Sequence, residues 1–220
     1  MAEPATSAIG PHQGQPVLAA GRSLESAQGA MVLLHGRGGT AQSMLSLAEE
    51  LAHPTFAYLA PQAAGSSWYP LSFLAPVERN EPYLTSALAT VSNVLRRLTE
   101  AGISQKQTIL LGFSQGACLA LEFAARNAHL YGGVVGLSGG LIGPDDTRWE
   151  YPGSFENTPI FLGCSDVDPH IPKGRVIESA DALERLGARV TTRLYANMGH
   201  TVNHDEIDFV HSLMAGLAGR

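Results

Sequence analysis

Seven short apolar runs, set apart by stretches with helical spacing, constrain this chain more than any other feature of its sequence. "QPVLAAG" (15–21), "AMVLLHG" (30–36), "FAYLAP" (56–61), "TILLGF" (108–113), "GGVVGLSG" (132–139), "PIFLGC" (159–164) and "VTTRLY" (190–195) each have the length of a strand. Most are continuously apolar, as a strand covered on both faces must be. Between them the period changes. Met44, Leu47, Ala48 and Leu51 follow the N-cap candidate Thr40, and Leu84, Leu88, Val91, Leu95 and Leu98 lead to a helix end at Gly102. Residues 115–128, 174–186 and 204–217 read as three more helices, and Gly187 stops the second. Strand alternating with helix implies an α/β fold, a mostly parallel central sheet with helices on both faces. The run at 15–21 is expected to pair antiparallel at an edge.

Residues 61–82 and 139–158 break this rhythm. Aperiodic loops of that length in a compact domain are usually functional. Both follow strands, and ligands of such sheets bind beyond the strand ends. Trp68, Leu71, Phe73 and Leu74 in the first loop, with Leu141, Ile142 and Trp149 in the second, offer apolar walls for a substrate.

"LLGFSQGAC" lies between a strand and an Ala-rich helix. Gly112-Phe113-Ser114-Gln115-Gly116 fits G-x-S-x-G, in which a sharp strand-to-helix turn lifts one serine hydroxyl above the sheet. Side chains two residues either side would collide across the turn, and glycine removes both. The helix N-terminus then faces the hydroxyl with free N–H groups, able to bind developing negative charge. A serine hydroxyl needs a base, and the base an orienting acid. In the order Ser, Asp/Glu, His, the base comes late. His200, in the loop between the last strand and last helix, is the expected base, whereas His204 and His211 read as solvated helix positions. Asp166 and Asp168 both follow the strand at 159–164. Asp168 is preferred, because the residue before Pro169 is pushed into an extended conformation. Asp166 reads as a turn-shaping residue.

"LLHGRGG", "PQAAGSSWYP", "LLGFSQGACLAL", "SDVDPHIP" and "NMGHTV", in this order, resemble the phospholipase/carboxylesterase family of α/β-hydrolases, which includes bacterial carboxylesterases and acyl-protein thioesterases. The resemblance runs from about residue 16 to the C-terminus. It implies an α/β-hydrolase fold without a large lid domain, with Ser114 as nucleophile, Asp168 as acid and His200 as base. It also implies an oxyanion hole made by the backbone N–H groups of Arg37 and Gln115, and a tryptophan, Trp68, near the substrate pocket, for which a partly buried loop anchor is the equal alternative. His35 is expected to orient the Gly-rich loop without moving protons. The stretch "WYPLSFLAPVERNEPYL" looks more like the small bacterial esterases than the thioesterases. The expected function is therefore a serine carboxylesterase acting on short-to-medium-chain esters. An acyl thioesterase or lysophospholipase with the same triad, and a non-catalytic binding module on the fold, are the alternatives. "HTVNH" also spaces two histidines as zinc helices do, but it lacks the Glu of H-E-x-x-H.

Of the 220 residues, 45% are hydrophobic, enough for one domain, expected over 16–220 after a loose tail at 1–15. A formal net charge of −6 with scattered Lys and Arg argues against nucleic-acid binding. No apolar run has the length of a membrane span. The start lacks a secretion signal, and two cysteines do not make a disulfide scaffold, so a cytoplasmic setting is expected. A small ester is the expected partner, with a homodimer left open, and neither metal nor organic cofactor is expected.

Overall fold

The computed structural model describes residues 10–218. Its single sheet has seven strands: β1 (Val17–Gly21), β2 (Gly29–Leu34), β3 (Phe56–Pro61), β4 (Thr108–Phe113), β5 (Gly133–Leu137), β6 (Pro159–Ser165) and β7 (Arg189–Tyr195). Their order is β1-β3-β2-β4-β5-β6-β7, with β1 antiparallel to β3 and every other pair parallel. Five helices connect them: α1 (Ala41–Glu50), α2 (Tyr83–Glu100), α3 (Gln115–Arg126), α4 (Lys173–Arg185) and α5 (His204–Ala218). This is the α/β-hydrolase architecture, with no inserted lid domain among the described residues.

Strand pleating divides the core. Met31 and Leu33 of β2 face α1 and α5, packing with Met44, Ala48, Ile207 and Val210. Ala30, Val32 and Leu34 face the other way, into a larger core with α2, α3 and α4. Residues one apart on a strand point to opposite faces, so a continuous apolar run serves two cores at once. α3 runs centrally, and every residue from Gln115 to Ala125 is buried, which explains its small side chains.

The helix ends follow local chemistry. Thr40 Oγ1 accepts the Ser43 N–H at 3.1 Å and caps α1. At the end of α2, Gly102 takes a φ of +89°, and the N–H groups of Gly102 and Ile103 return to the carbonyls of Thr99 and Leu98.

The tail expectation fails where the structure describes it. Residues 1–9 lie outside the described residues, as do 219–220, but His12 is buried and hydrogen-bonded to residues 64 and 68. The physical reason is a matched pair of ring nitrogens and backbone groups, which a composition-based reading misses.

β2, β4 and α3 meet unusually closely. A Cβ on Gly112 would lie 2.1 Å from the Gly116 carbonyl oxygen, across the strand-to-helix turn. A Cβ on Gly116 would lie 2.1 Å from the Leu34 carbonyl oxygen, at the end of β2. The first glycine lets the turn close. The second admits the helix against the neighbouring strand, a different task from the one expected for it. Gly116→Ala should therefore cost roughly 3 kcal/mol or more, since backbone must shift. Gly174→Ala in the first turn of α4 meets nothing within 4 Å and should be neutral or stabilising by up to ~1 kcal/mol. Urea unfolding of both variants checks the contrast, and equal midpoints would reject it.

Candidate active site

Ser114 forms the hinge between β4 and α3, at φ 54° and ψ −118°, a conformation costly for any residue with a Cβ. Its N–H donates to the Leu137 carbonyl of β5 at 2.9 Å, and its own carbonyl accepts from Cys118 at 3.0 Å. The turn is thus fixed from both sides, and the hydroxyl stands at the carboxyl end of the sheet.

His200 reaches this hydroxyl from the loop between β7 and α5. Ser114 Oγ lies 2.9 Å from His200 Nε2, and His200 Nδ1 lies 2.7 Å from Asp168 Oδ2. The Asp168 side chain is fully buried. Burial alone would raise its pKa, but the hydrogen bonds from His200 and from the N–H groups of His170 and Ile171 outweigh it, and the pKa is lowered. A carboxylate held ionised in this way keeps the Nδ1 proton on the imidazole and leaves Nε2 free to accept from the serine. Asp166 turns elsewhere: its Oδ1 accepts the Asn197 N–H at 2.8 Å, shaping the turn after β7. The His200 ring sits between Phe113 and His170, with ring centroids 5.0 and 4.9 Å away. Both its nitrogens are engaged within this group, so it does not pair with His204 as a metal-binding helix would require.

The backbone N–H groups of Arg37 and Gln115 flank Ser114 and have no acceptor among the described residues. Their side chains do separate work, which the sequence did not disclose. Arg37 donates through Nη1 to the Pro70 carbonyl at 2.9 Å and through Nη2 to the Leu71 carbonyl at 2.6 Å. Gln115 accepts the Trp68 N–H and donates to the Tyr69 carbonyl, each at 2.8 Å. Both residues therefore pin the loop at 67–71 beside the nucleophile. His35 supports the same region from beneath. It donates from Nδ1 to the Gly36 carbonyl and accepts the Ala63 N–H at Nε2, and burial lowers its pKa so that it stays neutral. It orients, as expected, and lies away from the serine–histidine pair.

A cleft of ≈ 540 Å³ opens over Ser114. Leu71 and Phe73 line it, as expected, together with Tyr69, Cys118, His170 and Ile171. The other five expected wall residues, Trp68, Leu74, Leu141, Ile142 and Trp149, do not. Trp68 is fully buried behind the loop, donating from its indole to the His35 carbonyl at 2.8 Å. Leu141 is also fully buried, with its N–H held by Ser179 Oγ. The loop carrying Leu141 is tied down by two buried charges: Glu122 accepts from the Ile142 N–H and the Tyr151 hydroxyl, while Arg175 donates to the carbonyls of Leu141 and Gly143. Ile142 is held in the same way, and Trp149 stacks over Arg175. Cys118, in the first turn of α3, contributes to the cleft floor. Burial pushes its thiol up to about 12, so it stays protonated and is no rival nucleophile.

One buried carboxyl lies just beyond the histidine loop. Glu206 closes a reciprocal cap with Asn203 at the start of α5, through bonds of 2.9 and 3.0 Å. Its second oxygen has no hydrogen-bond partner among the described residues and packs against Gly163 of β6. Burial, offset in part by the Asn203 N–H, pushes its pKa from 4.5 up to about 7. Such a group holds its proton more tightly when folded. Stability therefore falls as pH rises through 4.5 towards 7, and falls no further above that. Glu206→Gln should escape this loss, gaining on the native chain by up to about 3 kcal/mol between pH 5 and pH 8. Denaturant midpoints of both proteins at the two pH values provide the check, and a gap that does not widen at pH 8 contradicts it.

Comparison with known proteins matches the chain to the family model described as phospholipase/carboxylesterase over residues 18–216. A phospholipase/carboxylesterase from Dyadobacter fermentans is 43% identical, with a TM-score of 0.87 over 91% of this chain and 96% of that one. The acyl-protein thioesterase 2 of Zea mays shares the fold, with a TM-score of 0.72 over 92% and 99% of the two chains at 22% identity. Among curated relatives, acyl-protein thioesterase 1 of Yarrowia lipolytica is 26% identical over 80% of this chain and 86% of its own length. The Saccharomyces cerevisiae protein of that name is 31% identical, but the match spans only 58% of its length. No helix among the described residues is long and apolar enough to cross a membrane. With the family model covering nearly the whole chain and a 43% identical structure superposing throughout, this protein belongs to the phospholipase/carboxylesterase family, hydrolases of the esterase and thioesterase kind.

Proposed function

We propose that the chain is a serine carboxylesterase that hydrolyses short-to-medium-chain esters through an acyl-enzyme on Ser114. The observation that carries this reading is the unbroken chain of contacts from Ser114 Oγ to His200 to the buried Asp168 carboxylate, at 2.9 and 2.7 Å. Ser114 attacks the ester carbonyl as its proton passes to His200 Nε2. The carbonyl oxygen becomes an oxyanion held by the N–H groups of Arg37 and Gln115, each contributing about 3 kcal/mol in comparable sites. Asp168 stabilises the imidazolium. The C–O bond to the alcohol then breaks, and His200 returns the proton to the departing oxygen. Water repeats the attack on the acyl-enzyme and releases the acid. Water is the only co-reactant these steps consume.

Chain length follows from the cleft. Tyr69, Phe73 and Cys118 close it on the side away from solvent. Each added CH₂ should gain about 0.8 kcal/mol, roughly fourfold in kcat/KM, until the space is filled. An acyl-protein thioesterase is the second reading, favoured by the names of the fungal relatives. Two free, buried thiols fit the cytoplasmic setting expected from the sequence.

p-Nitrophenyl esters from acetyl to palmitoyl, run beside the matching thioesters, separate the two readings. Preference for oxygen esters with an optimum below the longest chains is expected. A rate that climbs to palmitoyl thioester would favour the thioesterase. Ser114→Ala should lose several powers of ten in turnover and all labelling by a fluorophosphonate while keeping its melting temperature. Asp168→Asn should lose about 10⁴-fold, whereas Asp166→Asn should lower the melting temperature first. If Asp166→Asn is the more inactive of the two while folded, the acid is misassigned.

A further inference from the structure

The ester has two ends, and the cleft described so far accommodates one of them. On the other side of Phe113 lies a second, apolar trough of ≈ 320 Å³, lined by Met44 and Leu47 of α1, Phe113 and Val202, and sharing Gly36 and Arg37 with the cleft. A depression of ≈ 580 Å³ continues it past His200 to Thr201, Asn203, His204 and Glu50, again over Leu47, Phe113 and Val202. Resting on the proposed ester hydrolysis, we infer that this trough seats the leaving alcohol, that Leu47 and Val202 set its specificity, and that the alcohols it favours are apolar and of aryl size.

Three constraints assign the ends. The oxyanion is fixed between Arg37 and Gln115, so only two directions remain for the carbonyl substituents. His200 must protonate the departing oxygen, and His200 and its loop line the depression that continues the trough. Water attacking the acyl-enzyme must enter by the path the alcohol took, because deacylation is acylation in reverse with water as the alcohol. That side therefore has to admit solvent, and the trough ends among exposed Thr201, His204 and Glu50. The cleft floored by buried Cys118 and Tyr69 suits the acyl group, which stays attached while water enters. Leu47 and Val202 are half-buried, and the surface they give the trough is apolar, as an aryl or alkyl alcohol requires.

The test uses two ester series on the intact protein: acetates of methanol, hexanol and benzyl alcohol, and methyl esters from acetate to octanoate. Leu47→Gln and Val202→Thr, the second close in shape to the native side chain, should each lower kcat/KM for benzyl acetate about tenfold. Methyl acetate and the acyl-chain series should stay within about twofold of the native protein. A changed acyl-length profile with an unchanged alcohol profile would reverse the assignment. An equal loss on methyl and benzyl acetate, with melting temperatures preserved, would also overturn it. If the native chain hydrolyses none of these esters, the carboxylesterase reading fails and this inference with it. Hydrolysis by the native chain with no change in the alcohol profile of either variant sinks the inference alone.

Discussion

Everything at this site depends on how closely a helix can approach a strand end. α3 starts at the exit of β4 and lies against the carbonyls of Leu34 and His35 at the end of β2, a contact that leaves no room for a Cβ at residue 116. That approach sets three things together. Ser114 must turn through a positive-φ conformation, which lifts its hydroxyl clear of the sheet. Gln115, the first residue of the helix, lines the same cleft as Arg37, one loop away. The loop from β2 to α1 is held against the nucleophile, so closely that a Cβ on Gly36 would lie only 3.2 Å from Ser114 Cβ. A hydroxyl, two donors and their mutual distances therefore follow from one steric fact.

The second layer of order is a division of labour within single residues. Arg37 and Gln115 leave their main-chain N–H groups without an acceptor among the described residues and give their side chains to the loop at 67–71. The cleft wall at 67–71 and the two proposed oxyanion donors therefore belong to residues tied to one another. Donors that need no rearrangement as charge develops are the larger part of what such a site contributes. The cost of leaving the charged Glu122 and Arg175 in the core is offset by the same logic. Each is hydrogen-bonded to the backbone of the loop at 141–143 and to a partner of opposite charge, so a long aperiodic segment is held without regular structure.

The five helices and the strands β2 to β6 can be read from apolar pattern, because burial leaves a direct mark on sequence; β1 and β7, exposed or half-buried along their length, carry a weaker one. Ser114, the proposed nucleophile, stands out through its flanking glycines, and Asp168, the proposed acid, through the proline that follows it. What escapes is side-chain reach. Trp68 and Leu141 are expected to face substrate because large apolar residues in loops suit a pocket wall. They are instead the pegs on which those loops hang, each fixed by a hydrogen bond to backbone or serine. Nothing in a linear sequence distinguishes a wall from a peg, since both are apolar and both sit between strands. The two side chains of the clamp, Arg37 and Gln115, are hidden for a related reason: their partners are backbone carbonyls, which every residue has.

The turn that carries His12 belongs with the candidate site. His12 donates to the Trp68 carbonyl and accepts from the Ala64 N–H, so an imidazole near the start of the chain completes the backbone bonding of a loop some fifty residues later. Burial lowers its pKa and keeps it neutral, which leaves one nitrogen to give and one to take. A protein shortened past that histidine would still contain every strand and the whole triad. It would also carry two orphaned amide groups directly behind the substrate wall. The choice of where to begin such a chain, in a recombinant product or a minimised enzyme, is for this reason a decision about its selectivity as much as about its solubility.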